Sequence, residues 1–88
     1  MDQDKEKAMY DIADKFINLA NELSKSDQSG GVGVALRFAA ARYSAFEASA
    51  QTDNLSADKD KQHQLFVNEF SNMLQINIED YIKHRSHN

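Results

Sequence analysis

The chain contains no cysteine, no proline and no tryptophan, and its three glycines all fall between positions 30 and 33. Without cysteine there are no disulfide staples, no thiol nucleophile and no thiolate metal site. Without proline, nothing interrupts a helix or forces a turn outside the one glycine cluster. Positive charge is scarce as well: ten Lys and Arg stand against fourteen Asp and Glu, a net charge of −4. No stretch is basic enough to neutralise a row of phosphates, which argues against nucleic acid and against anionic membrane surfaces as main partners. No apolar run approaches the roughly 20 residues needed to span a bilayer. The opening MDQDKEK is polar and acidic, the opposite of a secretion signal. A cytoplasmic location is the expectation.

What remains is 88 residues suited to a single helical domain over 1–88. A compact chain of this mass exposes roughly 5,200 Å² and removes only about 60–65% of its extended surface from water. That is the low end for a self-sufficient fold, so self-association would help it.

Three segments rich in Ala, Leu, Glu, Lys, Gln and Met predict an all-α protomer with helices at about 4–26, 32–51 and 56–84. No sustained alternation of β-branched with polar residues marks a strand, so strands are not expected. Helix one carries Met9, Ile12, Phe16, Leu19 and Leu23 on one stripe, with Asp2, Asp4 and Glu6 at the positive end of its dipole. Gly30 and Gly31 are the expected left-handed cap closing it. Helix two is alanine-rich, charged only at Arg37, Arg42 and Glu47, and apolar over an arc of about 200°. It is therefore expected to be central and mostly enclosed. Helix three is expected to start at Ser56 as N-cap and to bury Phe66, Val67, Phe70, Met73, Leu74, Ile78 and Tyr81. It outruns helix two by about 10 Å, and Leu65 and Ile76 lie off its main stripe. Overhang and thin core together point to a homodimer.

Arg42 is the most informative single residue. It projects between Phe38 and Phe46, inside the apolar arc, where an unpaired guanidinium would be costly. Asp14, beside Tyr10 and Asn21 on helix one, is the expected partner. Two readings stay open: an internal ion pair that sets helix register, or an anion site. Asn77 falls inside the helix-three stripe and suits a structural amide.

Other motifs are weak. Asp58, Asp60, Gln62, Leu65 and Glu69 fall at calcium-loop spacing, but His63 occupies the position where the sharp turn needs glycine. His84 and His87 have i, i+3 spacing without a completing carboxylate, and His63 reads as a partly buried histidine. Gly30-Gly31-Val32-Gly33 follows a helix and lacks the lysine of a phosphate loop. No nucleophile sits beside a base, so no catalytic residue, cofactor or metal site is expected.

The blocks Ala13–Glu22, Ala39-Ala40-Ala41-Arg42-Tyr43-Ser44-Ala45-Phe46 and Asp80-Tyr81-Ile82 resemble a family of short bacterial helical proteins known only as a domain of unknown function. The resemblance covers nearly the whole chain and implies a small bacterial, cytoplasmic, helical protein, with Asp14, Asn21 and Arg42 acting together. It brings no activity. The function expected is a non-enzymatic interaction module that self-associates and binds a further protein. The alternative is a small anionic-ligand binder or modest enzyme using Arg42 and Asp14 in an interhelical pocket.

Overall fold

A computed structural model describes residues 3–86. They form three helices, α1 (Gln3–Ser24), α2 (Gly31–Gln51) and α3 (Leu55–Ser86), and no strand occurs among them. The boundaries follow the glycine cluster and the polar Thr52-Asp53-Asn54 break, as the sequence predicts.

Helix α1 opens with Asp4 and Glu6 in its first turn, where carboxylates meet the unpaired N–H groups of the helix start. Asp2 lies outside the described residues. The helix ends earlier than predicted. Lys25 N–H donates to Glu22 O (3.2 Å) and Ser26 N–H to Leu23 O (3.3 Å), tightening the last turn without glycine.

The glycines serve the next helix instead. Gly30 has φ of 90°, the left-handed region, directly before α2. Asp27 accepts hydrogen bonds from the Ser29 backbone N–H (3.0 Å) and hydroxyl (2.6 Å), and Ser29 Oγ accepts from Gly31 N–H (3.1 Å). This relay holds the entry to α2. Gly30 is thus a connector before α2, not the cap of α1, because the end of α1 is closed by its own local hydrogen bonds.

The N-cap of α3 is also displaced from expectation. Asn54 Oδ1 accepts from Ala57 N–H (3.2 Å), and Asp58 N–H donates to Asn54 O (3.1 Å), so Asn54 caps the helix and Ser56 lies within it.

The chain divides inside α2 into two compact units, Met1–Tyr43 and Ser44–Asn88. Helix two therefore contributes residues 31–43 to the first unit and its last eight residues to the second. In the first unit, Ala13, Ala20, Val32 and Gly33 are partly covered, small residues for the most part. In the second, Ala48 and Gln62 are buried, flanked by half-buried Ser44, Glu47, Asp58 and Phe66. The covered positions 58, 62 and 66 repeat every four residues, so α3 is sheltered along three turns of one face only.

Candidate interaction surface

Most of each apolar stripe faces water. On α1, Met9, Ile12, Phe16, Leu19 and Leu23 are 44–59% exposed. On α2, Phe38 is 69% exposed and Phe46 61%. On α3, every residue from Val67 to Arg85 is exposed. Among the described residues Ala48 is the one buried apolar side chain. The chain presents 8004 Å² to solvent, well above the roughly 5,200 Å² of a compact fold of this mass.

The expected enclosure of α2 is therefore not found within the chain. In its second half the helix is covered only at Ser44, Glu47 and Ala48, and its larger side chains are left outward. Arg42 is exposed rather than buried, and no hydrogen bond or ion pair of its side chain occurs among the described residues. The predicted pair with Asp14 is not formed inside one chain. Tyr10, Asp14 and Asn21 are likewise exposed, at i, i+4 and i+11 along one face of α1.

Asn77 is exposed, not buried, and its Nδ2 donates back to Met73 O (2.8 Å). His63 is exposed too, because the sheltered face of α3 runs through Gln62 beside it. The calcium-like spacing lies within continuous helix, where no loop can wrap an ion. His84 Nδ1 lies 2.9 Å from Asp80 O, while His87 lies outside the described residues. Among the described residues no group of three His, Cys, Asp or Glu could hold a metal ion. No helix there is long and apolar enough to cross a membrane.

The charges on these faces add little rigidity. Lys7–Asp11 (2.9 Å), within α1, and Lys25–Glu22 (3.0 Å), at its end, are solvent-exposed pairs worth a few tenths of a kcal/mol, about 0.2–0.5. At Asp27 the Ser29 hydroxyl first, then the Ser29 backbone N–H, hold the carboxyl below the ordinary value. Sequence reasoning missed this relay, although Asp-x-Ser before a glycine was its signal. It also missed Gln62, whose burial no local pattern announces.

A sequence profile of the family described as "Protein of unknown function (DUF3144)" matches residues 9–82. The chain belongs to this family. The match takes in the Arg42 block, the α1 faces and nearly all of α3, so the exposed stripes lie within the family region. No curated protein and no solved structure matches the chain.

Proposed function

We propose that the chain is a non-enzymatic protein–protein interaction module whose working form is a homodimer. The observation that carries the reading is the outward apolar surface on each of the three helices, with a single buried apolar residue among those described. The areas agree with it. A compact dimer of about 20 kDa would expose about 8,700 Å², so pairing two chains removes on the order of 7,000 Å². That is the scale of obligate assemblies, whose folded state depends on the partner. The acidic polar faces that remain are suited to docking a further protein in the bacterial cytoplasm, the setting expected from sequence. Sedimentation equilibrium across a hundredfold range of concentration tests this. The expected result is a dimer throughout, and a monomer at the highest concentration would overturn it.

A second reading has one observation in its favour. The Arg42 guanidinium, between exposed Phe38 and Phe46 on α2, has no counterion among the described residues. It would suit a small carboxylate or phosphate, with Asp14, Asn21 and Tyr10 as further polar groups. Thermal shift with a set of anionic metabolites tests it, and no shift that is lost in Arg42→Met would end it.

A further inference from the structure

We infer that α3 pairs with α3 of a second copy, parallel and in register, along a seam formed by Val67, Phe70, Leu74, Asn77 and Tyr81. The inference rests on the self-association proposed above and names the surface that carries it.

The seam is defined by what the chain itself leaves uncovered. The well-covered positions of α3 end at Phe66, and every residue from Val67 to Arg85 is exposed. Val67, Phe70 and Leu74 are 45–47% exposed and Tyr81 72%. Their spacing with Asn77 is 3, 4, 3, 4, the repeat that keeps one helix face against another over successive turns. At 3.6 residues per turn this stripe lies about 100° round the helix from the face of Asp58, Gln62 and Phe66. That other face is the one sheltered inside the chain's second unit, so occupying the seam displaces nothing.

The occupant is a second copy of this chain, for three reasons. First, the surface exposed by the whole chain, of which this seam is one part, exceeds that of a compact fold of its mass, so a second copy has area to cover. Second, Asn77 interrupts the apolar seam. In a parallel, in-register pair it faces Asn77 of the second copy, and two amides satisfy each other. In antiparallel layering it faces Leu74, Val67 or Tyr81 instead. Asn77 spends one N–H on Met73 O, which leaves its Oδ1 to accept from the second copy. A polar residue within such a seam favours the register that pairs it with its own kind, at some cost in stability. Third, the flanks are complementary only in the parallel arrangement. Asp80 precedes the seam residue Tyr81 on one side, and Arg85 follows on the other, so Asp80 of one copy lies next to Arg85 of the second. Met73 and Ile78, the equivalent flanking positions one heptad earlier, are 48% and 51% exposed and extend the apolar contact.

The absence of native cysteine makes cross-linking clean. Val67→Cys, Tyr81→Cys and, off the seam, Gln75→Cys are oxidised singly, with sedimentation and circular dichroism on each reduced variant. Val67 and Tyr81 are about 21 Å apart along the helix, so no antiparallel two-fold brings both to their own copies. The expected result is covalent dimer from Val67→Cys and from Tyr81→Cys, and none from Gln75→Cys. If the reduced variants sediment as dimers but only one seam cysteine cross-links, or neither, the seam is overturned while self-association stands. If they sediment as monomers, both fall. Asn77→Leu is the independent check. It is expected to associate at least tenfold more tightly and to spread into mixed oligomers. An unchanged single dimer would overturn the register role of Asn77.

Discussion

The Thr52 hydroxyl donates to the Asp58 carboxylate across the turn between α2 and α3, tying the first residue after α2 to the first turn of the next helix. The same oxygen accepts from Asn54 N–H (3.1 Å), while the Asn54 side chain caps α3. One hydroxyl thus aligns the cap, and a carboxylate sits at the positive end of the helix. Thr52→Val keeps the shape and removes the donor, and it is expected to cost about 1–2 kcal/mol. Asn54→Ala is expected to cost about 1 kcal/mol, and Thr52→Ser almost nothing. Urea midpoints at one fixed protein concentration decide this, since an assembling chain gains apparent stability with concentration.

Two glycines three residues apart should respond with opposite sign. Gly30 has φ of 90°, and no atom lies within 4 Å of where a Cβ would stand, so Gly30→Ala suffers from backbone strain alone. A loss of about 1–2 kcal/mol is expected. Gly33 is inside α2, and an added Cβ there meets only the Arg37 guanidinium at 3.6 Å, an ordinary contact. Gly33→Ala should raise stability by about 0.5–1 kcal/mol through a better helix former. Equal effects of the two substitutions would contradict the backbone geometry.

The Asp27 carboxylate gives an acid-range signature. Its ionised form accepts two hydrogen bonds from Ser29, so folding lowers its pKa from the ordinary 3.8. The sign follows from linkage. The stabilising contribution is complete above 3.8 and is lost as pH falls through the lower folded value. Between pH 5 and 8 this group contributes no pH dependence. NMR titration of the Asp27 side-chain carbon is expected to show a midpoint below 3.8, and Ser29→Ala should move it back up. A midpoint at or above 3.8 in the native chain would refute the relay.

Helix number and limits are legible in the sequence because breakers are confined to 30–33 and to the polar turn at 52–54. Local competition is harder to read. Ser56 and Asn54 are both good caps two residues apart, and the Thr52–Asp58 bond, which pattern alone does not announce, favours Asn54. The surface around Arg42 shows a different limit. An apolar arc states that a face seeks cover, not which chain supplies it. The pattern predicts Phe38, Arg42 and Phe46 inside one protomer, and they lie exposed on it. The same holds for Asn77, whose place in the α3 stripe is readable although its shelter is absent from the single chain.

Gln62 offers the sharpest test of how the second unit is packed. It is 9% exposed, and its Oε1 has no hydrogen-bond partner. A buried acceptor stripped of water and left unmade costs about 1–3 kcal/mol. Gln62→Met keeps the length and flexibility of the side chain and removes that acceptor, so a gain of about 1 kcal/mol is expected. Gln62→Ala removes the same oxygen but opens a void in the same unit as Ala48, the other buried residue among those described, and should destabilise by about 1–2 kcal/mol. The pair separates polarity from packing, because both lose the amide and only one loses the volume. A Met variant that unfolds as early as the Ala variant in urea would show that the amide oxygen is satisfied after all.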